Sequence, residues 1–180
     1  MATTSEHSEK DVILESRALD LNVALSVLLD QVVKRLEADA ARIFLCNGKN
    51  NTLTYAAGHG VQRINPEEDS LRFGEGLAGH VALRRRPFHT KDLSHPDHSL
   101  VYNSRIECER FTSYCGVPLT FKGRLKGVLE VFHCQSLYMD RRCFDFLNDL
   151  AGEIAIAIDS AEQFDRILVS NNDSGVFQTS

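Results

Sequence analysis

Two β-prone apolar runs in the C-terminal half constrain the fold more than any other feature of the sequence. Tyr114 to Phe121 and Leu125 to Cys134 are separated only by Lys122-Gly123-Arg124. Because three residues including a glycine allow a turn but no crossover, the two runs are predicted to form an antiparallel hairpin. The fold must therefore contain an antiparallel sheet, and the rest of the chain must cover its faces.

A second pair of β-prone runs precedes the first. Arg42 to Cys46 and Thr52 to Ala57 are joined by Asn47 to Asn51, which is dense in turn formers and predicts another hairpin. Leu71 to Phe73 and Phe88 to Thr90 are shorter candidates for extended chain. The sheet is thus expected to draw its strands from both halves of the sequence.

Helical periodicity predicts helices at both ends of the sheet. A first helix begins at Val12, and Asp20-Leu21-Asn22 is expected to interrupt it with two capping residues. A second helix then runs to about Ala38, and after Asp140, a predicted N-cap, a long helix continues at heptad spacing. This order predicts an α+β fold, with an antiparallel sheet and both terminal helices on one face.

The segment 61–112 has the least regular pattern of the chain. Gly74-Glu75-Gly76 leads into a predicted short helix, Leu77 to Leu83, which ends at Arg84-Arg85-Arg86 before Pro87. Since a loop-rich segment of this length is uncommon unless it serves a function, we expect it to cover the second face of the sheet and to close over a pocket.

The ends of the chain differ in composition from the interior. Residues 1–10 are polar and are predicted to be disordered, residues 11–169 to form one domain, and residues 170–180 to be a flexible tail or the start of a linker. The polar Met1 to Lys10 segment does not resemble a signal peptide, and no apolar run approaches the roughly 20 residues that a bilayer requires. A cytoplasmic protein without a membrane partner is expected.

Charge and cysteine usage exclude further classes. The formal net charge is −5 and the twenty lysines and arginines are dispersed, which argues against a nucleic-acid partner. The five cysteines are odd in number and never fall at CxxC spacing, so neither a disulfide framework nor a zinc module is indicated. Reduced, mostly buried thiols are expected.

Glu130 is the most informative single residue. It interrupts an apolar strand, on the side shared by Val128 and Phe132, while Leu129 and Val131 point the other way. If the latter pair packs on the terminal helices, Glu130 faces the space under the middle segment. Because burial disfavours a charged carboxylate, Glu130 needs a partner. It is either a ligand-binding acid that accepts hydrogen bonds from an amine or a purine edge, or a structural acceptor for loop N–H groups or an arginine.

Two other groups of residues suggest chemistry less strongly. The loop from His89 to His98 holds three histidines and two aspartates, ligand types suited to zinc, iron or nickel, but a solvated polar loop is the commoner explanation and no metal site is predicted. Cys108 and Cys115 could form a redox pair, although Cys115 as a small core residue of a strand is favoured. No catalytic triad or phosphate loop is present, so an enzyme is not predicted.

Six strings, in this order, resemble the GAF domain, a widespread sensing module, in the form found in bacterial histidine kinases and cyclic-dinucleotide signalling proteins. The strings span about residues 16 to 166. They are Leu19-Asp20-Leu21-Asn22, Asp39-Ala40-Ala41-Arg42-Ile43-Phe44-Leu45, Gly74-Glu75-Gly76-Leu77-Ala78-Gly79, Gly116-Val117-Pro118-Leu119, Lys126-Gly127-Val128-Leu129-Glu130-Val131-Phe132 and Leu150-Ala151-Gly152-Glu153-Ile154-Ala155-Ile156-Ala157-Ile158.

The resemblance implies a GAF-like sheet of about six antiparallel strands and a homodimer through the terminal helices. It does not identify the ligand or a cofactor. Cyclic nucleotides are disfavoured because His133-Cys134 replaces the Asn-Lys pair of the family members that bind them, although Phe144-Asp145 matches those members.

Three functions remain open. The first is a non-catalytic sensor domain that binds a small molecule and signals through its terminal helices to an output domain, the second is a ligand-free dimerisation and relay module, and the third is a thiol enzyme or redox sensor. For the first, the residues expected to contact the ligand are Phe73, Gly76, Leu77, His80, Asp92, Phe111, Ser113, Cys115, Glu130 and Phe132.

Overall fold

Six antiparallel strands form a single sheet in the order β3-β2-β1-β6-β5-β4. The structure is a computed structural model that describes residues 3–61, 70–93, 111–136 and 139–173, with side chains described from residue 20 to residue 167 within those ranges. The elements are α1 (Thr3–Leu36), β1 (Ala40–Asn47), β2 (Thr52–His59), β3 (Ser70–Arg72), α2 (Gly76–Arg84), β4 (Phe88–Thr90), β5 (Ser113–Phe121), β6 (Arg124–His133) and α3 (Arg141–Asp173).

Both predicted hairpins are confirmed. β5 and β6 pair antiparallel around a two-residue turn, in which Lys122 and Gly123 have φ angles of 47° and 73°. Two successive left-handed residues are what a type I′ turn requires, and this turn matches the twist of the flanking strands. β1 pairs with β2 on one side and with β6 on the other, so β1 and β6 form the centre of the sheet.

One face of the sheet carries both terminal helices, as the sequence predicted. Alternate residues of the central strands, among them Ile43, Leu129 and Val131, are fully buried on this face. They pack against the apolar stripe of α1 and against α3 residues such as Leu147 and Ile154. This is the main core, and its composition follows from the two-residue period of the strands and the 3.6-residue period of the helices.

The short helix α2 covers the opposite face. Its residues Ala78, Val81 and Ala82 pack on Phe44 and Val128, which point away from the terminal helices. The predicted helix at 77–83 is therefore confirmed, one residue longer at each end.

The N-terminal region differs from the sequence prediction. α1 is one continuous helix from Thr3 to Leu36, so the break expected at Asp20-Leu21-Asn22 is wrong. The two polar residues are tolerated because the apolar stripe passes between them: Leu21 packs on the core while Asp20 is exposed. α1 ends at Leu36. The next residue, Glu37, has a left-handed φ of 51°, and the Ala38 N–H donates back to the Val33 carbonyl.

The C-terminal helix begins where the sequence predicted. Asp140 accepts a hydrogen bond of 2.8 Å from the Cys143 N–H, which is the geometry of an N-cap, and this bond lowers the pKa of the Asp140 carboxyl. No helix in the described part of the chain is both long and apolar enough to span a membrane.

A β-bulge turns Lys126 toward α3. The register shifts from Leu119 opposite Gly127 to Thr120 opposite Leu125, which leaves Lys126 as the extra residue. Its ammonium lies 2.5 Å from Asp159 and 2.6 Å from Glu162, and its side chain is 5% exposed. Burial alone would lower the pKa of Lys126, but the two carboxylates outweigh it and raise the pKa. β6 is thereby joined to α3 by charge as well as by packing.

His133 closes β6 in an environment that disfavours its protonation. The residue is 4% exposed, and its Nε2 atom has no hydrogen-bond partner among the residues that the structure describes. Burial lowers its pKa below 6.5, and the Asp39 charge and a hydrogen bond with the Glu37 backbone oppose this only in part.

The free energy of unfolding should therefore depend on pH through the protonation of His133. A group whose folded pKa is depressed contributes stability that is present above its unfolded pKa of 6.5 and is lost as the pH falls below it. Between pH 7.5 and 5, the wild type should lose stability relative to His133→Gln in urea denaturation. His89→Gln, at an exposed histidine, is the control. Parallel pH curves for the wild type and His133→Gln would contradict this account.

Candidate functional site

The strand register places three specific residues side by side at the middle of the sheet. Glu130 on β6 lies opposite Arg42 on β1 and opposite Gly116 on β5. It shares its face with Phe132 and Tyr114, away from the terminal helices, and is 0% exposed. The prediction that Glu130 faces away from α1 and α3 is confirmed.

The Glu130 carboxylate has a partner on each oxygen. The Arg42 Nε donates to Oε2 in an ion pair, and the Tyr114 hydroxyl donates to Oε1 at 2.8 Å. Burial and the Glu130 charge raise the pKa of the Tyr114 phenol well above its ordinary value, which keeps the hydroxyl protonated as a donor. Of the two alternatives weighed for Glu130, an acceptor for an arginine describes these contacts.

Gly116 makes this arrangement sterically possible. A Cβ atom on Gly116 would collide with the Tyr114 hydroxyl, which reaches Glu130 across this position. Any larger residue there would displace the phenol from the carboxylate. The glycine is thus required by the close approach of a side chain.

Two aromatic rings hold the Arg42 guanidinium. Its central carbon lies 5.1 Å from the ring centroid of Phe44 and 5.1 Å from that of Phe132. These are cation–π distances, and they add to the charge pairing with Glu130. The Arg42 side chain is 19% exposed while that of Glu130 is 0% exposed, so Arg42 is the member of the pair that solvent reaches.

A layer of apolar side chains lies over the ion pair. Leu77 from the start of α2 and Leu93 pack with Tyr114 and Phe132, and the Phe111 ring centroid is 5.0 Å from that of Phe132. The backbone fixes this layer to the sheet, because the Thr112 N–H donates to the His133 carbonyl at the end of β6 and the Thr112 carbonyl accepts from the Leu93 N–H. We call Glu130, Arg42, Tyr114, Phe132, Phe111 and Leu77 the Glu130 cluster.

The structure brings only some of the predicted site residues together. Glu130, Phe132, Phe111 and Leu77 belong to the cluster. The other four predicted residues on or near this face lie around it: Gly76 is buried at the start of α2, His80 is partly buried with its ring 5.2 Å from Phe88, Phe73 packs in the neighbouring apolar group under α2, and Asp92 is exposed.

Ser113 and Cys115 need a correction. The Tyr114 side chain reaches Glu130 across Gly116, so the side chains of the alternating residues Ser113 and Cys115 point to the other face. The Ser113 hydroxyl donates to the Gln135 carbonyl at 2.9 Å, and Cys115 packs in the core beneath α3. Neither side chain is therefore on the face of Glu130, and burial raises the pKa of Cys115 to about 12.

Several predictions fall outside the described residues. They include Cys108 and the histidines His95 and His98 of the polar loop. Among the residues that the structure describes, no group of three or more His, Cys, Asp or Glu side chains could hold a metal ion.

Sequence reasoning missed Arg42 and the role of Tyr114. Arg42 is a lone cation in an apolar strand, and it lies at even spacing from the buried Phe44. This spacing indicates that Arg42 lies on the same face of the sheet as Phe44. Its partner, Glu130, could be identified only once β1 was known to lie beside β6.

Replacing Glu130 should destabilise the fold strongly. Glu130→Gln leaves the Arg42 cation without its counter-ion and should lower the free energy of unfolding by about 3 kcal/mol, whereas Tyr114→Phe, which removes one hydrogen bond, should lower it by about 1–2 kcal/mol. Urea denaturation measures both. Glu153→Gln, at an exposed carboxylate of α3, should change it by less than about 0.5 kcal/mol. Equal effects of Glu130→Gln and Glu153→Gln would refute this assignment.

Comparisons with known proteins agree with this architecture. A family model described as GAF domain matches residues 18–159. The GAF domain of a phosphoenolpyruvate-protein phosphotransferase (ptsP) from Coxiella burnetii is 26% identical, with 86% of this chain and 95% of that chain covered and a TM-score of 0.70. The corresponding domain from Acinetobacter is 23% identical, with 88% and 98% covered and a TM-score of 0.68.

A solved enzyme shares the fold. Free methionine-R-sulfoxide reductase from Neisseria meningitidis, in complex with its substrate, is 19% identical, with 83% of this chain and 86% of that chain covered and a TM-score of 0.66. No curated protein sequence matches the chain. The family match covers most of the sequence and includes both central strands with the residues of the Glu130 cluster, so the chain belongs to the GAF domain family.

Proposed function

We propose that this GAF domain is a non-catalytic regulatory sensor of a cytoplasmic signalling protein. A small molecule binds at the Glu130 cluster, between the sheet and the segment 71–112, and the terminal helices relay the change to an output domain. GAF domains are commonly regulatory, and the solved neighbours include domains of a methyl-accepting chemotaxis protein and of a putative two-component sensor histidine kinase.

One observation carries the proposal: a single strand contacts both the candidate site and an output helix. β6 presents Glu130 to the α2 face and, four residues earlier, presents Lys126 to Asp159 and Glu162 of α3. A displacement of β6 that accompanies a change of partner at Glu130 would alter the contacts of Lys126. The strand therefore supplies a mechanical connection between the two faces of the sheet.

The chemistry of the cluster indicates the ligand class. A buried carboxylate accepts hydrogen bonds from an amine or from the edge of a purine, and the surrounding rings of Phe111 and Phe132 provide apolar contact. The ligand must supply donors that replace part of what Arg42 and Tyr114 give to Glu130. Its effect on the helices is limited to the difference between its affinities for the two states.

The terminal helices carry apolar side chains that fit a homodimer. More than half of the Val23 and Val27 side-chain surface on α1 is exposed, and Ile156 on α3 is 49% exposed. Exposed apolar side chains are candidates for contacts between subunits where they form a continuous patch. We propose that two copies associate through these helices, and that the packing at this interface changes when a ligand binds on the sheet.

A ligand-free relay module is the second candidate, and the packing of the cluster favours it in one respect. Glu130 already has two partners, and Tyr114, Phe132 and Leu77 are each at most 2% exposed. In this alternative the ion pair holds the sheet together, and only dimerisation matters for function. The two candidates differ in whether any small molecule stabilises the fold.

A thiol enzyme is the least supported alternative. A thiolate nucleophile needs a lowered pKa and access to solvent, whereas Cys115 is buried with a raised pKa. The likeness to methionine sulfoxide reductase extends to the fold. We therefore propose a regulatory role without catalysis.

A thermal-shift screen of nucleotides, amino acids and small aromatic amines tests ligand binding. At least one compound should raise the midpoint of unfolding of the wild type, and Tyr114→Phe should strengthen its binding about tenfold, because the ligand then no longer has to displace the Tyr114 hydroxyl from Glu130. Cys115→Ala, one residue along β5 but facing the terminal helices, should bind as the wild type does. If no compound stabilises the wild type, the ligand-free relay is the better description.

Sedimentation measures the proposed dimer. Ile156→Asp places a charge on the exposed face of α3 and should convert a wild-type dimer to a monomer without unfolding it. Leu83→Asp, at an apolar residue of α2 that is 58% exposed, should leave the dimer intact. A monomeric wild type, or equal effects of the two variants, would contradict dimerisation through the terminal helices.

A further inference from the structure

A cavity of about 670 Å³ lies at the turn ends of the two hairpins, away from the Glu130 cluster. The turns between β1 and β2 and between β5 and β6 form part of its wall, and residues 162–166 of α3 form another part. Its volume falls within the roughly 300–1,000 Å³ of small-molecule pockets. We call it the hairpin cavity.

The lining of the hairpin cavity is strongly cationic, although the chain as a whole is acidic. Five lining side chains are basic and two, Glu162 and Asp165, are acidic. The formal net charge of the whole chain is −5, so the lining of this cavity is opposite in sign to the chain as a whole. The basic residues are Lys49, Arg85, Arg124, Lys126 and Arg166.

Three of these cations make no ion pair with any described residue. Lys126 and Arg166 both lie against Glu162, and Lys126 also pairs with Asp159. Lys49, Arg85 and Arg124 have no such carboxylate within the described ranges and are exposed. They converge on one cavity from three different elements: the β1–β2 turn, the end of α2 and the start of β6. Like charges brought together repel one another unless an anion lies between them.

The wall of the cavity also offers apolar contact and open backbone. Phe73 and Leu125 line it beside the cations. A Cβ built on Gly48 or on Gly123 would meet nothing within 4 Å, so the two turns leave space for a ligand to approach their backbone. The site therefore combines charge recognition with a surface for an aromatic or apolar group.

The geometry points to a second ligand site in the hairpin cavity, for a phosphate-bearing small molecule. Two guanidinium groups and an ammonium match the roughly two negative charges and the several acceptor oxygens of a phosphate monoester, and arginine binds such groups through paired hydrogen bonds. A lone carboxylate would neutralise only one of the three cations. The non-phosphate part of the ligand lies against Phe73 and Leu125.

This site has its own connection to α3. Lys126 and Glu162 line the cavity and pair with each other across the β6–α3 contact. A bound phosphate attracts Lys126 and Arg166 and repels Glu162, so it weakens the contact that joins the strand to the helix. A ligand in the hairpin cavity would then affect α3 independently of a ligand at the Glu130 cluster. The two proposed sites can therefore be tested separately.

Titration of the full chain with pyrophosphate, followed by backbone amide resonances, tests the site. Saturable shifts are expected at Gly48 and Gly123, and acetate at the same ionic strength should produce none. Arg124→Gln and Arg85→Asn should each weaken pyrophosphate binding about tenfold through loss of a charge-assisted contact. Asn is chosen at position 85 because Arg85 has a φ of 52°, which asparagine tolerates.

Arg84→Gln is the matched control, because it removes the neighbouring charge from a residue that does not line the cavity. It should leave the affinity within about twofold of the wild type. The proposal is overturned if pyrophosphate causes no saturable shift, if acetate binds equally well, or if Arg84→Gln weakens binding as much as Arg124→Gln. Tyr114 does not line this cavity, so Tyr114→Phe should bind pyrophosphate as the wild type does. That result would show that the hairpin cavity binds pyrophosphate whether or not the Glu130 cluster binds a ligand.

Discussion

A carboxylate at the centre of the sheet must be paired, and much of the structure on the α2 face follows from that requirement. An isolated charge in such a place costs several kcal/mol, so Glu130 is compatible with the fold only because Arg42 and Tyr114 meet its two oxygens. The requirement extends outward. Gly116 must lack a side chain so that the phenol can reach Glu130, and Phe132 must lie beside the guanidinium.

The same strand that carries this charge also makes contacts on both faces of the sheet. β6 alternates strictly from Val128 to Phe132, with one set of side chains on α2 and the other on the terminal helices. The bulge at Lys126 breaks the alternation once and turns a cation toward α3. A purely regular strand would have placed Lys126 on the α2 face, without access to Asp159. The irregularity therefore creates the charged contact between the sheet and the C-terminal helix.

Local patterns predicted most of the fold, because they depend on short-range periodicity and on turn chemistry. Both hairpins, the α2 helix, the N-cap at Asp140 and the direction of Glu130 could be read from the residues. The break at Asp20 to Asn22 could not be judged locally, since packing of Leu21 on the core overrides the capping preference of its neighbours. The Arg42–Glu130 pair forms only because β1 lies beside β6 in the sheet. The two residues are 88 positions apart in the sequence, and no local pattern indicates that their strands are neighbours. Ser113 and Cys115 were predicted on the wrong face of the sheet because the alternation of side chains along β5 was not applied. Tyr114 lies on the face of Glu130, so its two neighbours must point to the other face.

We propose that β6 couples the Glu130 pair to α3 through Lys126. A double-mutant cycle in urea denaturation, with Glu130→Gln, Lys126→Met and the combined variant, measures that coupling directly. The two positions are about 13 Å apart along the strand, a separation at which independent substitutions add to within about 0.5 kcal/mol. If β6 transmits strain, the free energies of unfolding should depart from additivity by about 1 kcal/mol or more. Additive effects would show that the two faces of the sheet are energetically independent and would contradict the account.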